Sequence, residues 1–327
     1  MTIRGALVLV LALSLATPLI VKGQETGKVR VVAILWPGPA VAVPLALPDA
    51  LRKRLRESGW IEGNNLKIEQ RYVEREDGVT DVIAEILRLD PAVILAPGTP
   101  VTLATKRATT SIPVVMIAGA DPVATGLVSS LARPGGNVTG LVGFAGDLGP
   151  KSLELIHELL PKASRVAALW NSANPGAAVW WNETRAAAAM LNLALHSVEV
   201  RAQTDLDAAF QTIARLRPDA LTVGPDPAAI GNRTRIVEFA STQRLPAVYP
   251  YREFVISGGL MAYTNSLPDL FRRAADYIDR ILRGAKPGDL AVEQPTKFEL
   301  VINLRTAKAM TLTIPQSLLL RADDVIQ

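Results

Sequence analysis

Residues 92–100 read AVILAPGTP. Ala92–Ala96 is a short run of small and branched apolar residues, too brief for a buried helix and suited to a strand covered on both faces. Pro97 and Gly98 stop it. Thr99 is a favoured N-cap, and Pro100 is tolerated at a first helical position because its missing N–H would have no intrahelical partner there. A buried strand feeding a capped helix is half of a parallel βα unit. The pattern recurs as VVMIAGADP at 114–122, VAALWNSANP at 166–175 and ALTVGPDP at 220–227. The strands are then Val114–Ile117, Val166–Trp170 and Ala220–Val223, and the polar residues before proline are Asp121, Asn174 and Asp226. Helix N-termini at the carboxyl ends of parallel strands are where open α/β sheets take ligands. Two signals fall in each half of the chain, the pattern of two similar lobes facing each other across a cleft.

The same alternation extends outward. Before the quoted stretch come a strand over Val29–Leu35, a helix over Pro44–Ser58 with Leu47, Leu51 and Leu55 on one face, a strand over Leu66–Val73 and a helix over Thr80–Leu89. After it come helices from Pro100 and from Pro122 and a strand over Val138–Phe144. The second half repeats the plan with helices over Lys151–Leu160, Gly176–Leu193, Asp205–Leu216 and about Ala228–Gln243. Its strands are Val166–Trp170, Leu195–Val200, Ala220–Val223, Pro246–Tyr249 and Gly259–Tyr263. Strands alternating with helices of this length predict doubly wound, Rossmann-like α/β lobes. The Gly143–Pro150 loop is the first crossing between them. The amphipathic segment Leu267–Leu282 and the tail Phe298–Gln327 require further crossings.

Composition sets the outer bounds. The chain has 327 residues, 49% hydrophobic and 20% charged, enough for two cores and too apolar for disorder. The formal charge of +4 includes Arg4 and Lys22, which lie in an N-terminal segment. Residues 1–23 have the layout of a secretory signal: Arg4, an apolar run from Ala6 to Val21, then small residues, with cleavage after Gly23 or after Ala16. An uncleaved anchor is the competing reading, although the run is short for a span of roughly 20 residues. The chain contains no cysteine, which excludes disulfides, a cysteine nucleophile and lipid attachment through cysteine. No dense Lys/Arg run with interleaved aromatics supports nucleic-acid binding.

Thr99 and Asn174 each combine a capping side chain with exposed helix N–H groups, which together hold a carboxylate or phosphate; a structural cap alone is the other reading. Asp121 and Asp226 would repel an anion and suit an ammonium group. Thr99 or Asn174 for a carboxylate with Asp121 for an ammonium would read an amino acid. Trp36, followed by Pro37, Gly38 and Pro39, either stacks on a ligand from a rigid loop or plugs the sheet edge. Of Trp180 and Trp181 at least one belongs to the core. One of Tyr249, Tyr251 and Tyr263 lines the cleft. Enzymatic signals are poor: His157 and His196 lack metal-ligand spacing, and there is no nucleophile elbow, P-loop or dinucleotide fingerprint.

Four runs carry a resemblance: GTPVTLATKRATTSIPVV at 98–115, LARPGGNVTGL at 131–141, YREFVISGGLMAY at 251–263 and EQPTKFELVINLRTAKAMTLTIPQSLLLRADDVI at 293–326. From about Lys28 to Ile326 the chain resembles the substrate-binding proteins of ABC importers, in the subgroup related to tryptophan and tyrosine uptake components. The resemblance implies a type I periplasmic binding protein fold with about three hinge crossings. It implies an N-terminal lobe of 28–143 plus about 265–295, and a C-terminal lobe of 144–264 plus about 296–327. It places Thr99, Pro100 and Asp121 on one side of the cleft, Asn174, Asp226 and Tyr251 on the other, and Asn265 near a hinge. The proline-rich first loop with Trp36, the Tyr263-Thr264 step and the Ala309-Met310-Thr311 step depart from the usual pattern; in the last two a common glycine is missing.

The expectation is therefore an exported, periplasmic, monomeric solute-binding protein without enzymatic activity, cofactor or metal. It would trap an apolar or aromatic amino acid by lobe closure and deliver it to a membrane permease. A small-carboxylate binder, or a sensing protein for a membrane receptor, are the alternatives.

Overall fold

The computed structural model describes residues 29–74, 76–118, 121–143, 148–295 and 297–327. The proposed signal segment, Ala120 and part of the Gly143–Pro150 crossing lie outside the described residues.

The first lobe runs β1 (Arg30–Pro37), α1 (Ala46–Glu57), β2 (Leu66–Val73), α2 (Val79–Arg88), β3 (Val93–Pro97), α3 (Thr99–Ala108), β4 (Val114–Ala118) and β5 (Val138–Val142). Its five strands are ordered β2-β1-β3-β4-β5 and all pairs are parallel. Every residue of β3, β4 and β5 is buried, which is why β3 and β4 read as unbroken apolar runs instead of alternating ones; in β5 the run is interrupted by the buried Thr139.

The second lobe runs α4 (Leu148–Leu159), β6 (Arg165–Asn171), α5 (Pro175–Met190), β7 (Ala194–Val200), α6 (Leu206–Leu216), β8 (Ala220–Val223), α7 (Pro227–Gly231), α8 (Arg233–Thr242), β9 (Ala247–Tyr249), α9 (Arg252–Ile256) and β10 (Met261–Thr264). After α10 (Leu267–Leu282) the chain adds β11 (Glu299–Asn303), α11 (Leu304–Ala309), α12 (Gln316–Arg321) and β12 (Asp324–Ile326). The seven strands are ordered β12-β11-β10-β9-β8-β6-β7, and only β10 with β11 is antiparallel. Residues of α6, α8 and α9 cover one face of this sheet, and residues of α4, α11 and α12 the other.

Helix α10 follows strands of the second sheet but packs on the first. Leu270, Phe271, Ala274 and Ile278 join Val32, Ile34, Leu51 and Leu55 in one core. Burying each large side chain there is worth about 1.5–3 kcal/mol. Its start is local: the Ser266 hydroxyl accepts from the Asp269 N–H at 3.3 Å, and Pro268 sits in the first turn. The next segment stays with the first sheet, where the Val142 N–H donates to Glu293 O at 2.8 Å and the Thr139 hydroxyl to Leu290 O at 2.6 Å.

Three local expectations are corrected. The helix expected from Pro122 does not form. Asp121 Oδ1 accepts from the N–H groups of Val123 and Ala124 at 2.8 and 3.2 Å, and the turn ends at Gly126 with φ +71°. Leu127 and Val128 then enter the core, and core burial outweighs helix propagation after a single turn. The helix expected over 228–243 is divided into α7 and α8 at Asn232. Trp36 lies inside β1 and not behind it.

Candidate functional site

The carboxyl ends of the strands of both lobes carry the predicted helix starts. At the end of β3, Gly98 takes φ +94° and is the N-cap of α3, so Thr99 is the first helical residue and not the cap. Thr99 is 1% exposed and Pro100 is exposed. At the end of β6, Asn174 caps α5: its Oδ1 accepts from the Gly176 N–H at 2.9 Å. At the end of β8, Asp226 caps α7: its Oδ1 accepts from the Ala228 N–H at 2.8 Å.

These three helix ends converge. A Cβ built on Gly176 would lie 2.8 Å from Thr99 Oγ1, and one built on Gly98 would lie 3.0 Å from Pro227 Cγ. Beside them a Cβ on Gly231 would lie 3.2 Å from that of Ala42, and Arg233 reaches Ala42 O at 3.5 Å. The lobes thus meet at glycines, where backbone can approach backbone with no side chain between.

Behind this contact sits a buried polar cluster. Asp226 is 3% exposed, and its Oδ2 accepts from Asn174 Nδ2 at 2.8 Å and from Asn171 Nδ2 at 3.2 Å. The amide orientations are determined, because Asn174 Oδ1 faces the Gly176 N–H and Asn171 Oδ1 faces the Ala173 N–H at 2.9 Å. Both amides must therefore present NH₂ groups to Asp226. Burial pushes the Asp226 carboxyl above its ordinary value, and the donors Asn174, Ala228 N–H and Asn171 work against that. All of these partners are donors, so the ionised carboxylate fits and a carboxylic acid would lack an acceptor for its proton. Among the described residues no Lys or Arg forms an ion pair with Asp226. Tyr251 is 6% exposed beside it. Burial, and then the carboxylates of Asp226 and Glu253, hold the Tyr251 phenol well above its usual value, so it stays a neutral hydroxyl.

The remaining expected residues are placed differently. Asp121 is exposed and its carboxylate is engaged by its own turn. Trp36 is 2% exposed, donates from Nε1 to Gln70 Oε1 at 2.8 Å and stacks on Phe271 with ring centroids 5.3 Å apart. Asn265 is 4% exposed and its Nδ2 donates to Gly143 O. Trp180 is buried, whereas Trp181 is partly buried and stacks on Trp170 at 5.4 Å. Tyr249 stacks on Phe254 in the core, and Tyr263 on Phe298. Sequence reasoning missed Asn171 and the glycine contacts. The signal for Asn171 was present: it is the polar residue that ends the apolar run of β6, three positions before the cap.

The family described as ABC transporter substrate binding protein matches residues 38–326. A tyrosine-binding protein of Clostridioides difficile is 27% identical over 259 residues, covering 79% of this chain and 74% of that protein. A crystal structure of a conserved domain protein from Vibrio cholerae has a TM-score of 0.85 at 26% identity, covering 91% of this chain and all of the other. A structure from Streptococcus pneumonia, described as an ABC domain in complex with L-Trp, has a TM-score of 0.84 at 24% identity, covering 92% of this chain and all of that one. The two parallel-sheet lobes are thus the periplasmic binding protein fold, and the chain belongs to the ABC transporter substrate-binding protein family.

Proposed function

We propose that this chain is the exported solute-binding component of an ABC importer and that it traps an amino acid with an apolar or aromatic side chain between its lobes. The observation that carries the reading is Asp226: a buried carboxylate at the meeting point of the lobes, surrounded by donors and without a cationic partner among the described residues. A buried charge favours a countercharge, and a ligand ammonium supplies one. We assign the ammonium to Asp226 in preference to Asp121 because both carboxylates cap a turn but only Asp226 is buried. Thr99 and the N-termini of α3 and α5 supply donors for the ligand carboxylate, each helix end favouring an anion by about 0.3–1 kcal/mol.

Micromolar affinity requires about 8 kcal/mol. Helix ends leave much of that to apolar burial at about 25 cal/mol per Å². The Trp36–Phe271 pair is packed into the first lobe's core, so Tyr251, beside Asp226, is the aromatic left to line that side of the site. A tyrosine-binding relative and a fold relative holding L-Trp support the same ligand class.

In this reading 28–143 with about 265–295 form one lobe and 144–264 with about 296–327 the other. The crossings near 143–148, 264–267 and 293–299 act as the hinge. Closure is stabilised only by contacts that the open form lacks, here the meeting of Thr99 with Gly176 around the ligand. The chain acts as a binder and not a catalyst, works in the periplasm after loss of residues 1–23, stays monomeric, and hands its ligand to a membrane permease.

A thermal-shift screen of amino acids against small carboxylates without an amine tests this. A ligand at a hundred times its Kd adds about 2.7 kcal/mol. Stabilisation by L-tyrosine, L-tryptophan or aliphatic amino acids is expected. Stabilisation by amine-free carboxylates alone would overturn the assignment.

A further inference from the structure

One buried side-chain oxygen near the end of β10 has no partner among the described residues. Asn265 lies between the end of β10 and the Ser266 cap of α10, and it is 4% exposed. Its amide orientation is determined: the group facing Gly143 O must be the Nδ2 donor, because a carbonyl accepts only. Oδ1 is therefore the opposite atom, and it is buried with no hydrogen-bond partner among the described residues. Gly143 follows β5, and its N–H donates to Ala118 O at the end of β4. Asn265 thus stands at the carboxyl ends of the first sheet's strands, the edge of that lobe where Thr99 also lies. Buried acceptors are rarely left without a donor, and an orphan in a native structure calls for a specific explanation.

We infer that Asn265 Oδ1 is a specificity-determining acceptor that receives a hydrogen bond from a neutral N–H or O–H on the ligand's side chain. The inference rests on the amino-acid reading above. There Asp226 takes the ammonium, and Thr99 with the helix N-termini takes the carboxylate. The acceptor at Asn265 is left for a third donor, which an aliphatic or phenyl side chain does not have and a phenol or indole does. A site with an acceptor waiting for a side-chain donor rejects the analogue that lacks one more strongly than an apolar pocket discriminates by size, because the buried group stays unpaired. The other half of the same amide ties the 264–267 segment to Gly143 at the end of β5, so the group that reads the ligand also joins the start of α10 to the first sheet.

The test is isothermal titration of the parent, Asn265→Leu and Asn265→Ala with L-phenylalanine, L-tyrosine and L-tryptophan, each protein checked for folding by circular dichroism. The parent is expected to prefer tyrosine or tryptophan over phenylalanine by about a hundredfold or more. In both variants that ratio is expected to fall to within about tenfold, with phenylalanine affinity changed least. A merely structural tie to Gly143 would lower all three affinities together and leave the ratio intact, which would overturn the inference. An Oδ1 satisfied by water would also leave the ratio intact. A parent that binds all three equally would overturn it without any variant. A parent that binds other amino acids but none of these three refutes the Asn265 assignment alone; one that binds no amino acid refutes the ligand reading and this assignment with it.

Discussion

Gly176→Ala separates closure from folding. Gly176 is the second residue of α5 and does not adopt a left-handed conformation, so alanine fits its backbone. In a helix alanine is favoured over glycine by up to about 1 kcal/mol, and by less in the first turn. The free, open protein should gain a few tenths of a kcal/mol. With the lobes pressed together, the new methyl would stand 2.8 Å from Thr99 Oγ1 and 3.4 Å from Thr99 Cβ, whereas its 3.2 Å approach to Asn174 Oδ1 lies within one lobe and is the same in the open form. Ordinary contact needs 3.5–4.0 Å, so the rims must part by about half an ångström or more. Overpacking of this kind costs about 1–3 kcal/mol. Because only the closed form bears that cost, ligand affinity should fall about 5- to 150-fold, at 1.4 kcal/mol per factor of ten. Titration calorimetry with L-tyrosine or L-tryptophan reads the affinity, and urea unfolding without ligand reads the stability. The Thr99→Ala, Gly176→Ala pair should lose less affinity than the sum of the two single losses, since one partner in the clash is then smaller. Unchanged affinity, or a free protein destabilised by more than about 1 kcal/mol, would refute the claim that this contact belongs to the ligand-bound arrangement.

Further expectations follow from single groups. Asp226→Ala should weaken amino-acid binding by about 2–5 kcal/mol, the usual cost of removing one partner of a buried charge pair, and titration calorimetry checks it. Burial raises the Asp226 carboxyl, so its contribution to the stability of the ligand-free protein is full below the ordinary Asp value near 3.9 and is lost as pH rises through the raised one. A ligand ammonium favours the ionised form, so affinity should rise with pH over the same interval, with proton release visible in buffers of different ionisation enthalpy. Thr222 Oγ1 is fully buried without a partner among the described residues, and Thr222→Val should raise stability by about 1 kcal/mol at unchanged urea m-value. Thr311 follows α11 with φ +59°, a conformation that a β-branched residue adopts at a cost of roughly 1–2 kcal/mol. Thr311→Gly should recover about 1 kcal/mol, read as a higher midpoint of thermal unfolding.

Much of the fold is written locally. The buried strands β3, β4, β6 and β8 are legible because residues covered on both faces are nearly all apolar, and the helix starts at Pro175, Pro227 and Pro268 are legible because capping uses side chains one to three positions away. The strained Thr311 is foreshadowed where a glycine is missing from the Ala309-Met310-Thr311 step. The family was legible in the same way, through runs of residues that carry their own context.

What the sequence could not decide is which capped ends meet. Asp121 and Asp226 have the same local signature, a carboxylate before proline at the end of a strand. Only the tertiary packing of Leu127 and Val128 leaves the first on an exposed turn, while Asn174 and Asn171, more than 50 residues away along the chain, enclose the second. Trp36 reads as a loop aromatic until Gln70 and Phe271, brought by a parallel strand and by a returning helix, engage both its N–H and its face. Capping and burial periodicity are short-range and survive in the linear chain. The charge, orientation and access of a site residue depend on neighbours that only the folded sheets and the interlobe crossings bring within bonding distance.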